Sequence, residues 1–336
     1  DGTPHHLEFT SYETLFQRVL HVRRDWTEAG AGLREKLYGG MVRELHRFSK
    51  WTTLRENEGE EEQRAERRMS VLVPGAGLGR LALEIAHAFN ASVDCHESSM
   101  PFVLAARNIF KHISMPPATD GADGTEKHDA NSHQFYPLLH LPYTDEWNFH
   151  RVTPDTFPDN GAAVRARRRG ESGFVSFRLA DSANFIAQSG PHSKNSYDVV
   201  ATSFFIDTGN PVKNIASFAH VLKEGGIWVN AGPLHYHRPS IPLSHKEVHA
   251  LAEALGFELL HEEVIESDYA AESVMTMKPE FYRHPLTVWR LGRPASAVDL
   301  LALMNIPAPS PSMGPEHETK ITAEDAGWYS PNFKLV

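Results

Sequence analysis

The apolar run Val71-Leu72-Val73 breaks at Pro74 into three alternate glycines, Gly75, Gly77 and Gly79. Helical spacing follows at once, at Leu81, Leu83, Ile85 and Ala86. A short continuous apolar run followed by a 3.6-residue period predicts a buried strand, a tight turn and a helix N-terminus. The same alternation of patterns recurs down the chain. Residues 91–97 read as a second strand, with a helix from Phe102 to about Ile113. A third strand runs from Phe174 into Asp181-Ser182, and a fourth from Tyr197 through an apolar stretch to Asp207. A helix over about 211–223 leads into a fifth strand over 224–230. Strands separated by helices predict an α/β fold around a mostly parallel sheet. Two late runs, 257–265 and 286–290, are expected to pair antiparallel at the sheet edge.

Flanking this region, residues 11–50 carry helical spacing. Leu15, Val19, Val22 and Trp26 form one stripe, and Leu37, Met41, Leu45 and Phe48 another. Residues 56–68 are charged and read as a solvated linker. Two Pro/Gly/polar-rich stretches, near 116–133 and 154–173, look like disordered loop insertions, and the Pro-rich tail from Pro294 looks like an extension. The expected layout is therefore a helical cap and linker over 1–68, an α/β domain over 69–293 and a C-terminal extension over 294–336.

Composition changes this picture little. The chain has 336 residues, 41% hydrophobic and 23% charged, enough for one large core. Its formal charge of −10 argues against a nucleic-acid partner, because phosphate contacts need clustered Lys and Arg. The one basic run, Arg165 to Arg169, lies in a loop-like stretch. A lone cysteine, Cys95, rules out an internal disulfide and fits a reducing compartment. No apolar run of about 18 residues and no signal-peptide pattern is visible, so a cytosolic or nuclear protein with no membrane partner is expected. The chain begins at Asp1 rather than methionine. Oligomeric state is not readable, which leaves a homodimer open.

The glycine turn is the first candidate site. It lets backbone approach a ligand closely, with helix N–H groups facing that ligand, though such a turn can equally be a plain connection. Glu97 lies eighteen residues beyond Gly79 at a strand's C-terminal end, near the spacing at which such domains set a carboxylate against a ribose. Asp94 competes for that role. A dinucleotide fold uses Gly-x-Gly-x-x-Gly, whereas the spacing here is Gly75-x-Gly77-x-Gly79. Asp207, after an apolar strand, is either a crevice carboxylate or the N-cap of the following helix. His235 and His237 form a His-x-His pair with no third ligand in view, so no metal is expected.

The turn resembles that of class I S-adenosylmethionine-dependent methyltransferases. More narrowly, the runs 71–80, 203–208 and 225–237, with Arg24-Asp25-Trp26 and Tyr136-Pro137, resemble the carnosine N-methyltransferase family over about residues 10–293. The resemblance implies a Rossmann-like class I methyltransferase fold whose sheet ends in an antiparallel strand. It implies S-adenosylmethionine as cofactor, and a small imidazole compound, carnosine, as the acceptor that becomes anserine. It places Gly75, Gly77, Gly79, Glu97, Asp181, Ser182 and Ser203 at the cofactor, with His21 and Arg24 reaching it from the cap. It places Asp207, His237 and Tyr282 at the substrate. The family has a run of tyrosines around Tyr282 and only one stands here. Free histidine, or histidine in a protein or another peptide, is therefore the alternative acceptor, and a cofactor-binding module without catalysis is a further alternative.

Overall fold

A computed structural model of the chain describes residues 21–48, 68–114, 133–135, 155–180, 194–234, 241–268 and 281–292. Everything below concerns those residues. The N-terminal part is helical, as the apolar stripes predict: residues 21–26, then α1 (Ala31–Arg34), a π-helical turn over Glu35–Gly39, and α2 (Gly40–Phe48). Trp26, Leu37, Met41 and Leu45 are buried, while Leu15 and Val19 lie outside the described residues.

The apolar run forms β1 (Ser70–Pro74) and the glycine turn leads into α3 (Arg80–Phe89). Then come β2 (Ser92–Glu97), α4 (Met100–Ile113), β3 (His133–Phe135), β4 (Asp155–Phe157) and α5 (Ala162–Arg168). The chain continues through β5 (Phe174–Leu179), β6 (Tyr197–Ser203), α6 (Pro211–Val221), β7 (Leu222–Ala231), α7 (His245–Ala254), β8 (Phe257–Asp268) and β9 (Phe281–Leu291).

Seven strands form one sheet in the order β5-β2-β1-β6-β7-β9-β8. The strands from β5 to β7 pair in parallel, and β9 runs antiparallel to both β7 and β8. This is a Rossmann-like α/β fold with an antiparallel strand toward one edge. The two late runs pair as expected, but β9 inserts beside β7, leaving β8 at the edge. The chain winds outward from β1 to one side and from β6 to the other, so the strand order reverses between them, where open α/β sheets hold ligands.

Alternation along each strand divides the core in two. Val71, Val73, Val199, Ala201, Val229 and Val288 pack on the face that carries α3, α4 and the cap. Leu72, Val200, Trp228 and Trp289 pack on the other, with residues of α6 and α7. Side chains two residues apart share a face, so a sheet buried on both sides needs apolar residues at consecutive positions.

Two sequence expectations change. The stretch 154–173 is not loop throughout: β4 pairs antiparallel with β3, and α5 buries Ala163, Val164 and Ala166. The basic run 165–169 accordingly begins within that helix rather than in a loop. What orders the stretch is a buried acid, Asp159, which receives Arg34 Nη2 at 2.5 Å and Arg80 Nη1 at 2.6 Å. One carboxylate thereby joins α1 and the start of α3. Of the stretch 116–133, only His133 is described, as the first residue of β3; the tail from Pro294 lies outside the described residues. Among the described residues no helix is long and apolar enough to cross a membrane.

Candidate functional site

β1 delivers the glycine turn to the C-terminal edge of the sheet. Its three glycines have φ of +59°, +54° and +82°. A Cβ on Gly75 would lie 2.3 Å from Phe205, and one on Gly79 would lie 2.4 Å from Phe177. Gly77 differs, because a Cβ there would meet only His21 Nδ1, at 3.8 Å. The outer glycines thus lock the turn against aromatic rings, while the middle one leaves open space beside a cap histidine.

Glu97, at the end of β2, is 9% exposed and holds this turn from the side. Gly77 N–H donates to its Oε2 at 2.9 Å and Ser99 N–H to its Oε1 at 2.8 Å. The competing acid is otherwise engaged. Asp94 accepts from Ser176 Oγ of the adjacent β5 at 2.6 Å and from Tyr197 Oη of β6, beyond β1, at 3.0 Å. The structure therefore selects Glu97 as the carboxylate beside the turn.

The cap reaches over the same turn. Trp26 Nε1 donates to the Leu78 carbonyl at 3.2 Å, and Arg80 Nη1 to the Asp25 carbonyl at 3.1 Å. Arg24 makes a paired contact with Asp25, Nε to Oδ1 at 2.8 Å and Nη2 to Oδ2 at 3.0 Å. Tyr38 Oη also donates to Asp25 Oδ1, at 2.9 Å. Burial opposes the Asp25 charge, but the charge and hydrogen bonds of Arg24 hold its carboxyl below the usual carboxylate range. His21 is pushed down to about 3 by burial and then by the Arg24 charge. It is neutral at physiological pH, and its buried Nδ1 has no hydrogen-bond partner among the described residues.

β6 supplies the opposite lip. Ser203 closes the strand, and its buried Oγ has no hydrogen-bond partner among the described residues. Phe204 follows with φ of +52°. Arg24 of the cap stacks its guanidinium over the Phe204 ring at 4.9 Å, and His284 of β9 meets that ring edge-on at 5.3 Å. Asp207 is 7% exposed and stands four residues beyond the strand, not at its last position. A turn holds it there: Thr208 N–H and Oγ1 both donate to the Phe205 carbonyl, and Asn214 Nδ2 donates to the Thr208 carbonyl. The helix cap is Asn210, which accepts from Lys213 N–H at 3.2 Å, so Asp207 does not cap α6.

Other expected site residues are not brought into view. Asp181, Ser182, His235 and His237 lie outside the described residues. Tyr282 is placed by its backbone in β9, opposite Ser267 of β8, and its side chain is outside the description. Sequence reading missed Phe204 and His284, which form the join between cap, β6 and β9. The only sequence signal for Phe204 is its place between Ser203 and Asp207; His284 has none, because an isolated histidine in a strand looks like any other.

The C-terminal edge of the sheet thus carries a buried carboxylate beside a glycine turn and a neutral imidazole and a guanidinium from the cap, with buried Asp207 in the turn that follows β6. The family model described as carnosine N-methyltransferase matches residues 3–291. The carnosine N-methyltransferase of Mus musculus is 28% identical over 269 residues, 76% of this chain and 57% of that one. That of Schizosaccharomyces pombe is 24% identical over 300 residues, 83% of this chain and 71% of that one. The chain spans little more than half the length of the mouse relative. Among solved structures, the magnesium protoporphyrin IX methyltransferase of Synechocystis PCC 6803 with bound SAH is 12% identical. It covers 84% of this chain and 95% of that one, with a TM-score of 0.45.

Proposed function

The chain belongs to the carnosine N-methyltransferase family, and from that membership we propose that it is an S-adenosylmethionine-dependent N-methyltransferase acting on the imidazole of carnosine to give anserine. The observation that carries the reading is the pairing of Glu97 with Gly77 on one lip and buried Asp207 on the other. It separates a donor half from an acceptor half.

The residues present suit the cofactor. Open space at Gly77, a carboxylate two hydrogen bonds deep at Glu97 and the partnerless Nδ1 of His21 match a ligand carrying ribose hydroxyls and a polar tail. Bound S-adenosylmethionine supplies an electrophilic methyl on a sulfonium. In this reading Glu97 accepts from the ribose hydroxyls, Asp181 and Ser182 approach the adenine, and Ser203 lines the floor. Arg24, oriented by Asp25, pairs with the methionine carboxylate. A neutral His21 adds no positive charge against the sulfonium.

For the acceptor, an imidazole with an ordinary pKa near 6.5 is mostly neutral at pH 7, so little activation is needed. Position and tautomer decide the rate. The attacking nitrogen is the one nearer the backbone of the histidine unit, and it must carry the lone pair. Asp207, accepting the N–H of the other nitrogen, fixes that tautomer and stabilises the imidazolium that forms. His237 contacts the substrate and Tyr282 closes over it. The net charge of −10 suits a small imidazole substrate rather than nucleic acid.

The test is incubation with methyl-labelled S-adenosylmethionine and, separately, carnosine, anserine, histidine and a cell lysate. Label is expected on carnosine and not on anserine, whose ring position is already filled. Equal labelling of the two refutes the ring position. Label on free histidine or a lysate protein alone refutes carnosine as acceptor.

A further inference from the structure

Away from the crevice, His245 and His249 stand one turn apart on α7, a spacing that puts both imidazoles on one helix face. Their ring centroids are 4.3 Å apart. Glu262 of β8 faces them, with Oε1 3.4 Å from His245 Nε2 and 3.9 Å from His249 Nε2. One ligand atom from each residue lies within 4.8 Å of the other two. His249 Nε2 is buried without a hydrogen-bond partner among the described residues, and its ring stands edge-on to Trp289 at 4.8 Å. His245 and Glu262 are partly exposed, so an ion and its water have a way in.

Both Nε2–Oε1 distances are long for hydrogen bonds, so the three groups converge without satisfying one another. A single cation between them does satisfy all three. We propose that His245, His249 and Glu262 form a binding site for a first-row divalent cation such as zinc, with water as the remaining ligand. Metal–ligand distances of about 2.0–2.2 Å in a tetrahedral shell separate ligand atoms by about 3.3 Å. His245 and Glu262 already meet that spacing, and His249, 3.9 Å from Glu262 Oε1, has to swing closer to its partners. Calcium and magnesium are disfavoured, because they take oxygen ligands.

A second cluster supplies the control. Glu44, His261 and Glu263 also converge, but Arg43 reaches both carboxylates, at 2.9 and 2.5 Å, and Arg47 lies 3.6 Å from Glu44. Two guanidiniums occupy that cluster and repel a cation. At the first cluster no Lys or Arg contact to His245, His249 or Glu262 is found among the described residues. An ion there pins α7 to the edge strand β8, a structural clamp made of none of the residues given methyl-transfer roles.

Chelator-stripped full-length chain is titrated with zinc chloride by calorimetry at pH 7.5, where imidazoles are mostly neutral. Wild type and His261→Ala are expected to bind one equivalent with equal affinity. His245→Ala/His249→Ala is expected to lose more affinity than the roughly 10–100-fold that follows loss of an outer-sphere partner. Cobalt(II) substituted for zinc should give the visible absorption of a four-coordinate ion in wild type and not in the double variant. Undiminished zinc affinity in the double variant, or loss of binding in His261→Ala alone, overturns the site. Metal-free melting curves check folding; if the double variant does not fold, His245→Gln, at a partly exposed position, carries the same comparison.

Discussion

The backbone N–H of Gly77 donates to Glu97 Oε2 at 2.9 Å, so the carboxylate proposed for the cofactor also fixes the middle of the glycine turn. Two parts of the donor half are joined by one bond. Strand β2 ends where its last side chain can do this, because β2 pairs in register with β1 up to the Pro74–His96 step.

Glu97→Gln keeps the shape but removes the charge that accepts from two N–H groups and, in the proposed reading, from ribose hydroxyls. Hydrogen bonds to charged groups are worth about 1.5–3 kcal/mol, so S-adenosylhomocysteine affinity should fall about 10- to 100-fold. Calorimetric titration reads this directly, and affinity within twofold of wild type would remove Glu97 from the site.

Asp207 belongs to the other half, and its substitution should separate binding from turnover. Asp207→Asn is expected to leave S-adenosylhomocysteine affinity within about threefold while lowering kcat by about 100-fold or more, as loss of a tautomer-fixing carboxylate does. Unchanged turnover would show that the acceptor is held by other groups.

The half-buried His21 of the cap makes stability depend on pH. The folded-state value for His21, about 3, lies below the unfolded value near 6.5, so the folded protein refuses a proton that the unfolded chain takes. The stabilisation is therefore complete above pH 6.5 and is lost as pH falls toward 3. Between pH 7 and 5 this single group costs about 2 kcal/mol. His96, lowered to about 4 by burial, adds to the same trend. Urea unfolding of wild type and His21→Gln at both pH values should show a pH 5 loss about 2 kcal/mol smaller in the variant. An identical loss in both proteins would mean that His21 titrates normally.

Asp159 fastens a stretch of chain that composition alone makes look loose. Removing its charge leaves Arg34 and Arg80 buried against a neutral amide, and breaking a buried pair in this way costs about 3–5 kcal/mol. Asp159→Asn should lower the midpoint of urea unfolding accordingly. A change under about 1 kcal/mol would show that α5 and the cap hold without it.

The alternation of short apolar runs with helical spacing carried most of the fold. β1, β2, β5, β6 and β7 stand where the sequence predicts strands; for β1, β6 and β7 the consecutive apolar residues are what a strand covered on both faces requires, whereas β5 at the sheet edge is largely exposed. The stretch 154–173 misled for a physical reason: its composition is polar, and its order comes from Asp159 meeting two arginines far away in sequence. Polar segments held by distant partners carry no periodicity to read.

What the sequence determined by itself was local: a strand, three glycines in left-handed backbone and a helix, followed by a carboxylate at a fixed distance along the chain. Side-chain period and backbone freedom act within a few residues, so they are legible there. Which acid serves the turn was a tertiary decision. Asp94 and Glu97 are close in sequence and alike in chemistry, yet Ser176 of β5 and Tyr197 of β6 engage Asp94, while the pairing of β2 with β1 delivers Glu97 to Gly77. The fastening of the cap, through Trp26 to Leu78 and through Arg24 over Phe204, was decided in the same way. Those contacts join residues far apart along the chain, and only the packed structure brings them within reach.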